Sequence, residues 1–201
     1  MTWLSPVFPT GGFAYSAGLE TAVSDGLVCD ETSLLQWLEK QLETGSFWND
    51  AVLAAAAYRG DADVEALAEA SAPSRERWLE TMDQGSAFIA ASEPWGGEHT
   101  TATGPLPIAF GALCAAKALP LEGALTALLQ TNASSQTQAG IRLSLTGQTG
   151  AAKVLASLEP CILSSASRAA TSTLSDLGGC AFLADICSAR HEHQQPRLFL
   201  S

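Results

Sequence analysis

The sequence predicts an all-α fold: a single compact, bundle-like helical domain with an extended C-terminal tail. Apolar residues recur at the three- and four-residue spacing of helices, as at Leu34, Leu38 and Leu42. Residues typical of helix starts and stops flank this stretch, with Asp30 before it and Gly45 after it. Only one segment of the chain alternates in the manner of a strand, and a lone strand has nothing to pair with.

Three further helices are predicted in the first half, at residues 49–60, 61–70 and 73–89. The first opens on Asn49 and Asp50, which suit a helix N-terminus, and the third opens on a proline, which the first turn tolerates. The stretch 92–107 is rich in Pro, Gly and Thr and is predicted to be a long exposed connection.

The second half is predicted to be helical as well. Its helices are expected at 108–118, at 121–129, at 148–158 with a stop before Pro160, from 162 onward, and at 174–187. The first two carry few charges, which is typical of helices in the core or at a partner surface. The alternating segment 141–145 is interpreted as the end of a helix continuing from Thr131, because no second strand is available to it.

The charge balance excludes several classes of function. The chain has 10 Lys+Arg and 21 Asp+Glu, a net charge of −11. Residues 1–98 hold 16 acids and 4 bases, whereas residues 99–201 hold 5 acids and 6 bases. Without a basic stripe the chain is expected to bind neither nucleic acid nor a membrane surface. No basic flank precedes an apolar N-terminal stretch, so a cytoplasmic location is expected.

No motif for catalysis or cofactor binding stands out. The glycine-rich segment 9–18 lacks the lysine of a phosphate-binding loop, and the nucleophile motif GxSxG and the zinc motif HExxH are absent. Five cysteines form no CxxC pair and are interpreted as reduced, mostly buried structural thiols. The chain is therefore predicted not to be an enzyme and to carry no cofactor; a small hydrolase is an alternative that rests on residue types alone.

The segment His191-Glu192-His193 offers two imidazoles close together. In a helix, positions i and i+2 point to different faces, so both rings can reach one ion only from an extended segment. A solvated polar segment is the favoured interpretation, and a metal contact that adds a cysteine remains the alternative.

The C-terminal tail is unusually apolar at residues 198–200. Pro196 pushes the residue before it toward an extended conformation, so Arg197 and Phe199 would project from a non-helical arm. Arginine and aromatic side chains are enriched at interface hot spots. Two interpretations stay open: the tail binds a partner, or it folds back on its own core.

Four segments together resemble a known family. LSPVFPTGGFAYSAGLE (residues 4–20) resembles the N-terminal signature of the UreF family of urease accessory proteins, and ARHEHQQPRLFLS (residues 189–201) resembles its ending. SRERWLETMDQG (residues 74–85) is similar to the central helix of that family. The stretch from LPIAFG (residue 106) through IRLSLTGQT (residue 149) is similar to its middle.

The resemblance implies an all-α protein without catalysis of its own. Members of the family bind a UreD/UreH-type protein and a UreG-type GTPase, pair into homodimers, and help GTP-dependent delivery of nickel to apo-urease. The implied division is a UreF-like domain at residues 1–188 and an interaction tail at 189–201. The resemblance also favours helix over strand at 141–145. A nickel carrier that uses the His-Glu-His segment is the alternative.

The resemblance also implies a set of partner-binding residues. They match the family's motifs in the tail, in the segment leading to it, in the middle of the chain and near the start: Arg197, Leu198, Phe199, His191, Glu192, Arg142, Gln148, Tyr15, Ser16 and Glu20. From the charge split, the acidic first half is expected to supply the solvated exterior, and the second half the core and the contact surface.

Overall fold

The computed structural model describes residues 2–5, 8–96 and 104–201. Within these ranges the chain forms α-helices and short 3-10 turns and contains no β-strand, which confirms the all-α prediction. The helices are α1 Leu19–Ser24, α2 Glu31–Glu43, α3 Ser46–Arg59, α4 Val64–Ala70, α5 Arg75–Ala91, α6 Leu106–Ala116, α7 Leu121–Arg142, α8 Gln148–Thr171 and α9 Phe182–His191. No helix in the described ranges has the length and apolar character that crossing a bilayer requires.

Helix α3 lies at the centre of the fold. Every residue from Ser46 to Ala56 is buried, because α3 packs against α2, α6, α7 and α8. Its small alanines let α6 approach closely: a Cβ at Gly111 would collide with the carbonyl oxygen of Ala54. The long helices α7 and α8 pack against each other and close the other side of the core.

Local signals located α2 correctly. Asp30 caps it by accepting a hydrogen bond from the Ser33 N–H, and the Ser33 hydroxyl accepts one in return from the Asp30 N–H. The prediction for α3 was wrong at its start. The helix begins at Ser46, so Asn49 and Asp50 are buried inside it instead of capping it.

Pro160 does not end a helix, contrary to the prediction of a helix at 148–158 that stops before it. Helix α8 runs through it to Thr171. The reason is a continuous stripe of buried side chains at Val154, Leu158 and Ile162. Burying such side chains contributes roughly 1.5–3 kcal/mol each, which together exceeds the roughly 3 kcal/mol that a proline costs inside a helix.

Three other boundaries differ from the sequence prediction. Helix α7 runs unbroken from Leu121 to Arg142, so the interpretation of segment 141–145 as a helix end is confirmed at 141–142, but a turn follows with Ser144 at φ 63°. The predicted helix 174–187 is a 3-10 turn at Leu174–Asp176, an extended stretch and then α9. Within the predicted connection 92–107, Glu93–Trp95 forms a 3-10 turn and α6 already begins at Leu106, while residues 97–103 lie outside the described ranges.

The tail leaves α9 after His191 and folds back on the body. It is non-helical from residue 194 to 201, and Phe199 is only 2% exposed. Helix α9 runs across residue 188, and the division of the chain at that point stays a prediction.

Candidate functional site

The site forms where three helices meet beneath the tail. Gly18 precedes α1 with a left-handed backbone (φ 83°), and a Cβ there would lie 2.6 Å from the backbone nitrogen of Ser188 in α9. Glycine therefore lets α1 and α9 come together. Helix α5 joins them through its capping residue Ser74, whose hydroxyl lies 2.7 Å from that of Ser188.

His191 lies between two carboxylates at this junction. Its ring is fully buried, with Nδ1 2.7 Å from Glu76 Oε2 and Nε2 3.0 Å from Glu20 Oε2. Ionised carboxylates only accept hydrogen bonds, so the three groups together need a proton on both ring nitrogens or one on a carboxyl. The interpretation of His191 as part of a solvated segment is wrong.

The tail supplies the remaining donors to the two carboxylates. The N–H groups of Leu198 and Phe199 donate to Glu20 Oε1 and Oε2 at 2.6 and 3.0 Å. The Arg197 guanidinium donates to Glu76 Oε1 at 2.9 Å. Each of the four carboxylate oxygens of the pair thus has a hydrogen-bond partner. We call this arrangement of Glu20, Glu76, His191, Arg197 and the two tail amides the tail clamp.

Phe199 is buried beneath the guanidinium of Arg142. Its ring is buried, and the guanidinium of Arg142 lies 4.1 Å from the ring centroid. The same guanidinium donates through Nη1 to the Phe13 carbonyl oxygen at 2.5 Å. A stacked arginine adds a cation–π attraction to the burial of the ring. Arg142 therefore ties the tail to the start of the chain.

The end of the tail pairs with the N-terminal signature. The Leu200 N–H donates to the Ala14 carbonyl oxygen at 2.8 Å, and the Ser16 hydroxyl donates to the Ser201 carbonyl oxygen at 2.7 Å. The side chains alternate: Phe199 and Ser201 point inward, whereas Leu198 and Leu200 are 65% and 59% exposed. The docked tail thus presents two leucines to solvent.

Tyr15 is held by a different carboxylate. Its hydroxyl donates to Asp83 Oδ2 at 3.2 Å. Burial and the nearby Asp83 charge raise the pKa of Tyr15 to about 12, so it stays a protonated donor.

Below the tail clamp lies a second group of buried charges that sequence reasoning missed. Arg77 pairs with Asp50 and, at 3.3 Å from Nη1 to Oε2, with Glu80. Burial raises the pKa of Asp50 to about 6 despite the arginine. The Ser201 hydroxyl donates to Glu80 Oε2 at 3.2 Å and so connects the tail to this group. We call Asp50, Arg77 and Glu80 the deep charge cluster.

The placement of these acids corrects the expectation from the charge split. Glu20, Asp50, Glu76 and Glu80 are all buried, so the acidic first half supplies interior groups as well as exterior ones. The acids of the exterior, such as Asp61 at the approach to α4, do face solvent. Local signals predicted the helix at 73–89, and the resemblance of segment 74–85 was the one sequence signal that marked α5 as a candidate functional element.

Two of the expected site residues lie apart from the tail clamp. Gln148 is the exposed first residue of α8, and Glu192 is a half-buried residue just after α9. The other eight belong to the tail clamp or contact its surroundings: Tyr15, Ser16, Glu20, Arg142, His191, Arg197, Leu198 and Phe199.

The metal alternative finds no preformed site in the part of the chain that the structure describes. There, no group of three or more His, Cys, Asp and Glu side chains is arranged to hold an ion. Both ring nitrogens of His191 are occupied by carboxylates, and His193 is exposed.

The cysteines are free thiols, but only partly buried ones. Cys114 and Cys187 are buried, Cys161 is half-buried, and Cys29 and Cys180 are exposed. The expectation of mostly buried thiols therefore fails for the exposed pair. Burial raises the pKa of Cys114 to about 12, which keeps it an unreactive thiol at neutral pH.

The fold and the site define a class: an all-α protein whose first and last segments meet over a buried network of carboxylates, an imidazole and a guanidinium. Comparison with known proteins is specific. The sequence model of the UreF family matches residues 28–159. The urease accessory protein UreF of Mesorhizobium japonicum is 51% identical over 211 residues, covering 100% of this chain and 94% of the relative.

Two further relatives agree. The urease accessory protein UreF of Brucella ovis is 48% identical, covering 100% of this chain and 92% of its own length. That of Rhizobium etli is 48% identical, covering 99% of this chain and 93% of its own. The chain belongs to the UreF family of urease accessory proteins.

Proposed function

We propose that this chain is a non-enzymatic adaptor of urease maturation. It binds a UreD/UreH-type protein and a UreG-type GTPase, and the assembly delivers nickel to apo-urease in the cytoplasm. Membership of a family named for urease accessory proteins supports the proposal. The proposal includes the pairing of two copies of this chain into a homodimer.

One observation carries the role of the tail. Backbone N–H groups and Arg197 fix the tail to the body, while the side chains of Leu198 and Leu200 stay exposed. Exposed leucines on a fixed arm lose little further backbone entropy on binding, so they suit an anchor for a partner protein. We assign this outward face of the tail to the UreD/UreH-type partner.

The experiment is co-expression of the full chain with UreD/UreH-type and UreG-type partners, followed by size-exclusion chromatography. The test variant is Leu198→Ser combined with Leu200→Ser. It changes only exposed side chains, because the clamp uses the backbone of these residues. We expect the wild-type chain to co-elute with both partners and the variant to lose the UreD/UreH-type protein while keeping its own melting temperature.

The matched control is Asp61→Lys combined with Glu65→Lys, two exposed changes around the start of α4. Complex formation should survive this charge reversal. Wild-type protein that elutes alone would overturn the adaptor role, and a serine variant that binds as well as wild type would overturn the role of the tail. Deleting residues 196–201 is a less clean test, because it also removes buried Phe199.

A further inference from the structure

A polar cavity of about 50 Å³ lies beside the deep charge cluster. It is bordered by the 3-10 turn Thr2–Leu4, by Ser5, Thr10 and Gly12, and by parts of α3, α5, α6 and α7. Its wall includes the charged groups of Asp50, Arg77 and Glu80 together with amides and hydroxyls of α7. Apolar side chains such as Trp3, Phe47 and Leu128 line it as well, so the polar groups lie in a mixed wall within the helical body.

Buried polar atoms without a partner concentrate in this cavity. Among the described residues, six buried side-chain nitrogen or oxygen atoms have no hydrogen-bond partner. Four of the six belong to residues that line the cavity: Ser5 Oγ, Arg77 Nε, Asn132 Nδ2 and Gln136 Oε1. The unpartnered atoms of these four residues therefore mark one polar site.

Such atoms are costly if they stay unpaired. A buried donor or acceptor without a partner costs about 1–3 kcal/mol, and a charged group costs more. Arg77 and Gln136 are both more than nine-tenths buried, so neither side chain reaches bulk water. Something inside the cavity must bond to them.

The chemistry of the wall identifies the occupant. Arg77 Nε and Asn132 Nδ2 donate, Gln136 Oε1 accepts, and the Ser5 hydroxyl can do either. A bare cation would face the guanidinium, and an anion would face the carboxylates of Asp50 and Glu80. Water both donates and accepts, and a volume of about 50 Å³ holds about two molecules at roughly 30 Å³ each.

We propose that this cavity is a binding site for structural water. Ordered water molecules bond to Arg77 Nε and Gln136 Oε1, and through them connect α5 to α7. Because Glu80 accepts from Ser201, the water cluster lies directly beneath the docked end of the tail. These waters are part of the folded structure in the way that a buried side chain is.

The first test is a high-resolution crystal structure of the full chain. We expect an ordered water within hydrogen-bond distance of Arg77 Nε and another at Gln136 Oε1. Absence of water density at both atoms, or protein atoms filling the cavity, would overturn the proposal.

The second test is Gln136→Leu, whose effect on the melting temperature has opposite signs in a hydrated and in a dry cavity. In a hydrated cavity the change removes an acceptor from the waters, and the melting temperature falls by about 2–4 °C. In a dry cavity it removes an unpaired acceptor, and the melting temperature rises. The control Gln138→Leu makes the same change on an exposed position of α7 and should leave the waters in place. A Gln136→Leu protein that melts as wild type, or higher, contradicts the proposal.

Discussion

The tail clamp and the deep charge cluster are two buried networks built on the same helix, α5, and they differ in where their donors come from. In the tail clamp, Arg197 and two backbone amides come from a non-helical segment. In the deep charge cluster, Arg77 on α5 faces Asp50 on α3, so both partners belong to packed helices. Glu80 and the end of the tail connect the two networks.

The origin of the donors determines which buried charges the molecule can expose. Lifting the tail removes three donors from the clamp and leaves the helices in place. Separating Arg77 from Asp50 requires α3 and α5 to part, which breaks the core. The clamp is therefore the network that opens at the lower cost in free energy, and four changes test this distinction.

The largest effect is expected for Arg77→Met. The change leaves the carboxylates of Asp50 and Glu80 buried without a counter-charge, and such a loss costs about 3–5 kcal/mol. Urea denaturation measures the free energy of unfolding. The control is Arg75→Met on the exposed side of the same helix, expected to stay within about 0.5 kcal/mol of wild type. Equal effects of the two changes would mean that the deep charge cluster is not a unit of stability.

His191→Ala should come next. Two carboxylates lose their shared donor but keep those of the tail, so we expect a loss of about 2–3 kcal/mol by the same measurement. His193→Ala, two residues along and exposed, is the matched control and should change little. A tolerated His191→Ala would show that the tail donors alone satisfy Glu20 and Glu76.

The pH dependence of the unfolding free energy should reveal the raised pKa of Asp50. Its folded-state pKa of about 6 lies above the ordinary value, so the folded state binds the proton more tightly than the unfolded chain does. The resulting stability is present at low pH and is lost as the pH rises from about 4 to about 6.

Comparing wild type with Asp50→Asn isolates this contribution. The difference in unfolding free energy between the two proteins should fall by about 2 kcal/mol across that pH range. Glu65→Gln, an exposed carboxyl change, should show no such trend. A difference that stays flat with pH would mean that Arg77 keeps the pKa of Asp50 near its ordinary value.

The smallest effect is expected for Arg197→Ala. The guanidinium is partly exposed, and Glu76 keeps its bond to His191, so the loss should be about 1 kcal/mol. The sharper readout is amide hydrogen exchange, which should accelerate at Leu198 and Phe199 while core amides keep their rates. Arg190→Ala removes a surface pair with Asp25 and should leave both tail amides protected. Unchanged exchange in Arg197→Ala would show that the backbone bonds hold the tail without this ion pair.

Local signals in the sequence predicted elements where the cause lies within a few residues. Asp30 and Ser33 cap α2 through bonds three residues apart, and that helix was located correctly. The prediction at Pro160 was wrong because the stripe of buried side chains along α8 outweighs the local free-energy cost of proline in a helix. That stripe is buried through the packing of α8 against α7. Tertiary packing overrides a local rule here.

The tail clamp could not be derived from the spacing of residues along the sequence. His191 lies 171 residues from Glu20 and 115 from Glu76. The family resemblance pointed to Glu20, His191 and Arg197, but Glu76 and Arg77 sit in a segment whose charges look like those of a solvated helix face. Only the crossing of α1, α5 and α9 shows that these charges point inward.

The bond between Ser16 and Ser201 joins residues 185 positions apart, and this has a consequence for synthesis on the ribosome. Glu20 and Glu76 emerge early, long before the segment that satisfies them. Until that segment leaves the ribosome, both carboxylates remain hydrated. The helices around them can pack only into a body whose tail-binding surface is still uncovered. Docking of the tail therefore waits until the chain has been synthesised through residue 201, and it is a late step in the folding of this region.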